Sequence, residues 1–343
     1  MNRAGYGLAC ALLCSCAAGE RTVSPAGSPL PSSFAWTSSG ILVAPRDDGA
    51  RRIVSVKDPS IVRFGDRWHL FATTADVDGR WQMVYLNFTD WRDAAAAPHF
   101  HLDRNPNLRG YHCAPQVFWF APHRKWYLIF QSQHPQYSTT DDLAKPETWT
   151  APRDFFAGKP ASVKDLWIDY WIICDDAHAY LFFTGDDGRF YRSRTTLAAF
   201  PDGMSDPVIV MADPDKFRLF EASATYRIKG RDAYLTLIEA LGPNGTRYYR
   251  GFTADRLDGA WTPLADTWAH PFAGISNVTF GEGVEPWTQD ISHGELIRDG
   301  YDQTMTIDPE ALQLLYQGRQ PQEGQVPYHA LPYRLGLLNL RKP

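Results

Sequence analysis

The sequence predicts an all-β fold, a single five-bladed β-propeller domain, from three observations. Strand-like runs of Val, Ile, Tyr, Phe and Trp are broken throughout by Gly, Asp, Asn and Pro, and no long amphipathic helical pattern interrupts them. Similar segments then recur at a regular spacing along the chain. Another strand-like run precedes each segment, so a repeat of ~50 residues or more would hold about four strands.

The repeated segments are RWHLFATT, KWYLIFQS, HAYLFFTG and DAYLTLIE, and a fifth, LQLLYQG, follows a longer insertion. Each contains a leucine at the matching position, and the first four leucines are 58, 53 and 54 residues apart: Leu70, Leu128, Leu181, Leu235 and Leu314. Five units of this size are typical of a five-bladed propeller. The alternative is a large β-sandwich in which the similarity of the segments is accidental.

Composition narrows the class of protein. The chain has 343 residues, of which 44% are hydrophobic and 21% charged, and this balance indicates a globular protein. The formal net charge of -5 leaves no basic surplus, so we expect no nucleic-acid partner. Aromatic residues reach 14%. Most would pack in a β core, and some could stack on the C–H faces of sugars.

The N-terminus predicts an export signal over residues 1–16, with Arg3 followed by a short apolar run and small residues. The segment LCSC, ending at Cys16, resembles a bacterial lipobox, and ordinary signal cleavage is the alternative. Residues 17–35 are rich in Ser, Pro and Gly and predict a flexible linker, which leaves 36–343 for the propeller. We expect a monomer that is secreted or is a cell-surface lipoprotein, contacting the membrane only through a lipid anchor at Cys16.

Two of the five cysteines, Cys113 and Cys174, fall in the predicted propeller. An exported protein permits a disulfide between them. Two free buried thiols are the alternative, because both cysteines lie among apolar residues. The chain has no CxxC motif and no metal-finger spacing.

Polar side chains recur at the head of the predicted inner strands. Asp58, Gln116 and Asp169 each precede the leucine of their unit by 12 residues, Glu221 precedes its leucine by 14, and His293 heads the fifth run. In a propeller the innermost strand of each blade lines the central axis. We therefore expect these five side chains, one from each blade, to converge at one mouth of the channel.

Three of the five are carboxylic acids, a set that suits glycoside hydrolysis. One ionised carboxylate activates water, and one protonated carboxylic acid donates to the leaving oxygen. A third can orient the acid and raise its pKa by like-charge proximity. Aromatic neighbours would exclude water from the site and provide ring faces on which a sugar can stack: Trp167, Tyr170, Trp171 and Phe220. The alternative is a ring of axial acids that binds a structural cation.

A series of ordered stretches carries a family resemblance: KDPSIVRF, RWHLFATTAD, NFTDW, LDRNPN, GYHCAPQVFWFAP, KWYLIFQ, YSTTDD, DYWIICDD, LFFTGDDGRFYRS, LFEAS and SHGELIRDGYDQTMTID. Over about residues 35–320 the sequence closely resembles glycoside hydrolase family 62, the α-L-arabinofuranosidases. The resemblance implies a five-bladed propeller that inverts the anomeric carbon. It also implies a substrate, arabinoxylan or an arabinose-substituted oligosaccharide, from which single arabinofuranosyl branches are removed.

The resemblance implies a role for each carboxylic acid. Asp58 of KDPS would be the general base, and Glu221 of FEAS the general acid. Asp169 of IDYW would orient that acid and modulate its pKa. Inversion then predicts that Asp58 and Glu221 lie about 6.5–9.5 Å apart, which leaves room for a water molecule.

The resemblance also implies binding residues. Lys57 would contact an arabinose hydroxyl or the Asp58 carboxylate, with a solvated lysine as the alternative. Tyr316 and Gln317 resemble positions near the sugar, although core packing competes for Tyr316. His293 resembles a histidine that helps to hold a structural calcium ion in the channel. Calcium prefers oxygen ligands, so such a site would be unusual, and a histidine hydrogen-bonded in the core is the alternative.

Other functions stay open from the sequence. A related propeller glycosidase, such as a β-xylosidase or an endo-arabinanase, would share the three carboxylates. A non-catalytic glycan-binding lipoprotein would keep the fold, but the presence of all three acids argues against it. The C-terminal leucines would either close the propeller or pack on its outside: Leu335, Leu337, Leu338 and Leu340.

Overall fold

A computed structural model describes residues 30–322 and 324–342 of the chain. In that part it contains 22 β-strands, nine short 3-10 helices and no α-helix. None of its helices is long and apolar enough to cross a membrane. The predicted signal segment, the lipobox and most of the predicted linker lie outside the described residues, so these predictions stay untested.

The strands follow one another along the whole described chain. In order they are β1 (Trp36–Ser38), β2 (Ile53–Phe64), β3 (Arg67–Asp76), β4 (Trp81–Phe88), β5 (Phe100–His101), β6 (Cys113–Phe120), β7 (Lys125–Gln131), β8 (Pro135–Thr140), β9 (Arg153–Asp154), β10 (Trp167–Cys174), β11 (His178–Gly185), β12 (Arg189–Thr196), β13 (Val208–Ala212), β14 (Glu221–Ile228), β15 (Tyr234–Leu241), β16 (Arg247–Ala254), β17 (Thr262–Ala265), β18 (Val278–Phe280), β19 (Ser292–Leu296), β20 (Thr306–Ile307), β21 (Gln313–Gly318) and β22 (Arg334–Leu340). The 3-10 helices are Trp91–Ala96, Leu102–Arg104, Pro106–Leu108, Ala121–His123, Pro146–Thr148, Lys216–Arg218, Pro243–Gly245, Ile275–Asn277 and Tyr328–Ala330.

These strands form five sheets, which are the blades of a propeller. Blades 1 to 3 have the orders β2-β3-β4-β5, β6-β7-β8-β9 and β10-β11-β12-β13. Blade 4 has the order β17-β16-β15-β14-β20, and blade 5 has the order β18-β1-β22-β21-β19. The inner strands β2, β6, β10, β14 and β19 contact one another in a closed ring around the axis. The predicted five-bladed, single-domain fold is therefore confirmed.

The repeated leucines hold equivalent places in the five blades. Each lies in the second strand of its blade, opposite an apolar residue of the inner strand, in the pairs Ile61–Leu70, Val117–Leu128, Ile172–Leu181, Tyr226–Leu235 and Leu296–Leu314. All five leucines are fully buried. A leucine recurs because the same gap between neighbouring sheets must be filled in every blade.

The two ends of the described chain meet in blade 5 and close the ring. Strand β1 pairs antiparallel with β22, so that Trp36 lies opposite Leu340. Trp36 is fully buried, and its indole N–H donates to the carbonyl of Phe272 at 2.6 Å. The C-terminal leucines thus form the strand that closes the propeller, which was the first of the two alternatives for them.

The longer insertion before Leu314 passes under the channel. Its backbone accepts bonds from the inner-strand ends of three blades, at Tyr301, Gln303 and Met305. The segment then adds β20 alongside β14. The insertion therefore lengthens the fifth repeat because it closes the end of the channel opposite the polar mouth.

Candidate active site

A β-bulge interrupts the inner strand of every blade at the same level. The bulges lie between Lys57 and Ser60, Cys113 and Gln116, Ile168 and Trp171, Glu221 and Ala224, and Ser292 and Gly294. In blades 1 to 4 the first bulged residue has a positive φ: Asp58 at 47°, Ala114 at 50°, Asp169 at 58° and Ala222 at 54°. A bulge re-aims its side chain, and here it turns side chains toward the mouth of the channel.

The predicted ring of five polar residues is wrong in blade 2. The structural equivalent of Asp58 in blade 2 is Ala114, and Gln116 lies two residues deeper along β6. Gln116 is fully buried, and its amide bonds to the backbone N–H and carbonyl of Ile172 at 2.7 and 2.8 Å. It therefore joins blades 2 and 3 below the site. The leucine spacing misplaced it because the connection from Phe120 to Lys125 is two residues longer than the connection from Phe64 to Arg67 in blade 1.

Asp58, Asp169, Glu221 and His293 line one pocket. His293 Nδ1 lies 3.2 Å from Asp58 Oδ1 and 3.8 Å from Asp169 Oδ2. Asp169 Oδ2 also accepts a bond of 2.7 Å from the backbone N–H of Ala222, the residue after Glu221. Asp169 is thus held directly beside the strand that carries Glu221, and His293 lies between Asp169 and Asp58.

The charges in the pocket move the pKa values of these groups apart. Burial raises the pKa of Asp58, but the charges of Lys57 and His293 outweigh burial and hold this pKa below its usual value. Burial raises the pKa of Asp169, His293 opposes this, and repulsion from Glu221 and Asp58 adds to it, so the net direction is upward. Burial lowers the pKa of His293, but Asp169 and Asp58 raise it to about 9. At neutral pH Asp58 is therefore an anion and His293 a cation.

Arg247, at the start of β16, joins the site from blade 4. Its Nη1 contacts Oε1 of Glu221 and Oε1 of Glu239. Its guanidinium lies 5.3 Å from the ring centre of Phe220 and 5.9 Å from that of Tyr328. A cation that contacts two acids and two rings is held in a single orientation.

The opposite wall is formed around Lys57. Its ammonium group donates to the hydroxyl of Tyr328 at 2.8 Å and lies 4.6 Å from the ring centre of Trp81. Gln317 supports the floor, because its Oε1 accepts the backbone N–H of Asp58 at 2.7 Å. Lys57 and Gln317 therefore line the pocket with the carboxylates, as the sequence predicted.

Three predicted sugar contacts do not lie on the pocket wall. Tyr316 is fully buried and its hydroxyl bonds to the Ser38 hydroxyl at 2.7 Å. Because neighbouring side chains of a strand point to opposite faces, Gln317 reaches the pocket and Tyr316 reaches the core. Tyr170 is buried and donates to the carbonyl of Trp167, and the Trp167 indole donates to Gln133. Trp167 and Tyr170 pack behind Asp169.

The side chains around His293 do not form the oxygen-rich shell of six to eight ligands that calcium prefers. Among the described residues, no group of three or more His, Cys, Asp or Glu side chains could hold a metal ion. Gln116 uses both ends of its amide on Ile172. The calcium ion stays a prediction from the family resemblance, and no step of the reaction is assigned to a metal.

Several pocket residues were not singled out from the sequence. They share the wall with the carboxylates: Trp81, Tyr111, Ala114, Gln131, Ile168, Arg247 and Tyr328. Tyr328 lies in the C-terminal tail, outside the residues 35–320 that carry the family resemblance. Glu239 offered a signal, since it is the one acid in the apolar strand YLTLIEAL. Cys113 and Cys174 are free and buried, the second of the alternatives given for them, and Cys113 lines the pocket.

The pocket has a volume of about 280 Å³ and adjoins a larger cleft of about 680 Å³. Trp81 and Tyr111 line both cavities. The smaller cavity brings together an ionised carboxylate, a carboxyl group with a raised pKa and a half-buried glutamate. Such a set can activate a water molecule and protonate a leaving oxygen.

Comparison with known proteins places this geometry in a family. Alpha-L-arabinofuranosidase C of Cellvibrio japonicus is 46% identical over 310 residues, which cover 90% of this chain and 47% of that protein. The chain therefore spans about half the length of this curated relative. The solved catalytic domain of the Coprinopsis cinerea GH62 alpha-L-arabinofuranosidase is 48% identical and has a TM-score of 0.87, over 91% of this chain and 98% of that one.

A second solved structure, a GH62 hydrolase in complex with xylotriose, is 46% identical with a TM-score of 0.86, and covers 90% of this chain and 98% of its own. The sequence profile of Glycosyl hydrolase family 62 matches residues 35–339. The match includes all five blades and every carboxylate of the pocket. This chain belongs to glycosyl hydrolase family 62.

Proposed function

We propose that this protein is an inverting α-L-arabinofuranosidase that removes arabinofuranosyl side chains from arabinoxylan. The observation that carries the proposal is the convergence of Asp58, Asp169 and Glu221 on one small pocket. Membership of a family whose named relatives are α-L-arabinofuranosidases supports the same activity. Because the matched region covers only 47% of this curated relative, we propose its activity for this chain.

Asp58 is the general base in this mechanism. Its lowered pKa keeps it ionised at neutral pH, and an ionised carboxylate can accept a proton from an attacking water molecule. Its backbone N–H is fixed by Gln317, and its Oδ1 faces His293 at 3.2 Å. The carboxylate is therefore aimed and charged before any substrate binds.

Glu221 is the general acid. Its side chain is 17% exposed, compared with 10% for Asp58 and for Asp169, so it is the one of the three most accessible to a leaving oxygen. Asp169 lies behind it, bonded to the N–H of Ala222. Burial raises the pKa of Asp169, and repulsion from Glu221 and Asp58 adds to this, so Asp169 can hold a proton beside Glu221. We assign the donation of that proton to Glu221 and its retention in the site to Asp169.

The two cavities suit a branched polymer. A volume of about 280 Å³ suits a single sugar at the carboxylates, and the adjoining cleft of about 680 Å³ leaves room for the chain that carries it. A solved family member is described in complex with xylotriose, which supports a xylan chain in such a cleft. This arrangement supports the proposed removal of one arabinofuranosyl unit from arabinoxylan.

The test is arabinose release from arabinoxylan by wild-type protein, Asp58→Asn and Glu221→Gln. We expect free arabinose from the wild type and a rate about 10²- to 10⁴-fold lower for each variant, because each loses a proton-transfer group. On 4-nitrophenyl α-L-arabinofuranoside, Glu221→Gln should recover most of its rate, since nitrophenolate leaves without a proton. Asp58→Asn should stay inactive on both substrates.

Glu285→Gln is the matched control, because Glu285 is exposed and does not line the pocket. It should release arabinose at the wild-type rate. NMR of the first sugar released gives the anomer, and retention of configuration would contradict the inverting mechanism. Release of xylose or of arabinan fragments, with no arabinose from arabinoxylan, would favour the β-xylosidase or endo-arabinanase alternative.

A further inference from the structure

A second acid lies behind the general acid. Glu239, in β15, is fully buried in a strand whose other residues are apolar or Thr. It lies directly opposite Glu221 of β14 in the sheet register. Like charges directly opposite one another destabilise a sheet. The pair therefore requires a cation, and Arg247 contacts Oε1 of both acids with one nitrogen, Nη1.

Glu239 is held from a second blade as well. Its Oε2 accepts the Ser292 hydroxyl at 2.8 Å and the backbone N–H of His293 at 2.7 Å, both in β19. Three donors, counting Arg247, thus fix the carboxylate of Glu239. Burial raises the pKa of Glu239, and the charge of Arg247 and the two donors of β19 oppose this. Paired with the guanidinium, Glu239 can balance the charge that would otherwise act on Glu221 alone.

The bonds continue from Glu239 to the base. The Ser292 hydroxyl accepts from Nε2 of Gln317 at 2.9 Å, and Oε1 of Gln317 accepts the backbone N–H of Asp58 at 2.7 Å. A continuous series of contacts therefore runs from Glu221 through Arg247 and Glu239 to Asp58.

We propose that Glu239 is a positioning residue for the hydrolytic reaction: it shares the charge of Arg247, so that Glu221 is oriented by the guanidinium and still able to carry a proton. The proposal rests on the proposed function of Glu221 as the general acid. Without the negative charge of Glu239, the guanidinium would act on Glu221 alone and favour its ionised form. An ionised Glu221 cannot donate a proton to the leaving oxygen.

The test is Glu239→Gln, assayed on two substrates that differ in the leaving group. Arabinose-substituted xylo-oligosaccharide needs a proton on its leaving oxygen, and 4-nitrophenyl α-L-arabinofuranoside does not. We expect kcat on the oligosaccharide to fall about 10- to 100-fold and kcat on the nitrophenyl substrate to fall less than about threefold. KM should change little for either substrate, because Glu239 does not line the pocket.

Glu295→Gln is the matched control. Glu295 is also a fully buried acid, held by Arg298 at 2.5 Å and by the Ser60 hydroxyl at 2.6 Å, and it does not line the pocket. Replacing Glu295 should change kcat on the two substrates to the same extent. Equal losses on both substrates for Glu239→Gln would overturn the proposal and leave Glu239 a structural residue.

If Glu239→Gln does not fold, Glu239→Asp provides the same comparison, because the shorter side chain draws the negative charge away from Nη1 of Arg247. The expected excess loss on the oligosaccharide is then about threefold, and no excess would overturn the proposal. Failure of the proposed function can be told apart from failure of this inference, because the wild type would then hydrolyse neither substrate.

Discussion

At the scale of single residues, the folded state disfavours the ionised form of Asp169. Burial and the nearby Glu221 and Asp58 raise its pKa above the ordinary value of 3.8. The folded protein thus binds this proton more tightly than the unfolded chain does. The contribution of Asp169 to stability is favourable at low pH, and it is lost as the pH rises from 3.8 through the raised pKa.

We therefore predict that Asp169→Asn stabilises the protein at pH 8 and not at pH 4. An asparagine is neutral at both values, and its amide oxygen can still accept the N–H of Ala222. The expected rise in Tm at pH 8 is roughly 2–6 °C, measured by circular dichroism, with arabinose release reduced. Asp206→Asn is the control, because Asp206 is exposed. A Tm at pH 8 that is lower for Asp169→Asn than for the wild type would contradict the predicted direction of the effect.

At the scale of elements, the bulge is the feature that repeats around the channel. No residue type is common to the five segments KDPS, CAPQ, IDYW, EASA and SHGE, yet each makes its inner strand bulge at one level. In blade 5 the bulge brings Gly294 against the neighbouring strand. A side chain there would meet the carbonyl oxygen of Leu315 and Cα of Tyr316, 2.9 Å away.

Gly294→Ala should therefore destabilise the protein and displace His293. Its methyl group meets backbone atoms, which cannot rotate away as a side chain can, and we expect a loss of about 1–3 kcal/mol in the free energy of unfolding. Urea denaturation measures this loss. Gly158→Ala is the matched control, because nothing lies within 4 Å of a Cβ at Gly158. Equal urea midpoints for the two variants would contradict this prediction, because they would show that β21 can move to make room for the methyl group.

At the scale of the whole molecule, blade 5 decides whether the ring closes. Its strands come from both ends of the described chain, and β1 lies between β18 and β22. Trp36 in β1 donates to Phe272 and packs with Phe34 and Phe272. Contacts so distant in sequence form only when all five blades are in place.

Trp36→Ala should consequently weaken the whole propeller. A buried tryptophan that is reduced to alanine leaves a cavity, and we expect a loss of about 3–5 kcal/mol in the free energy of unfolding. Trp91→Ala is the control, because Trp91 is half-buried and packs inside blade 1 on Trp68 and Phe88. Urea denaturation followed by fluorescence compares them. A smaller loss for Trp36→Ala than for Trp91→Ala would contradict a closing function for β1.

The sequence by itself determined the architecture and the acids of the site. The repeated leucines mark the second strand of each blade, and runs of β-forming residues mark the others, because both signals depend on neighbours close along the chain. Asp58, Asp169 and Glu221 could be found because each stands at the head of a repeated strand. The family motifs also predicted His293, Lys57 and Gln317, and all three line the pocket.

Only the tertiary structure decided which other side chains meet these acids. The β6–β7 connection, two residues longer than the β2–β3 connection, places Gln116 below the ring, and the alternation of side chains along β21 points Tyr316 to the core. Arg247 comes to the pocket from β16, an interior strand of blade 4, and Tyr328 comes from the C-terminal tail. No periodicity marks such residues, because their positions depend on how five sheets pack around one axis.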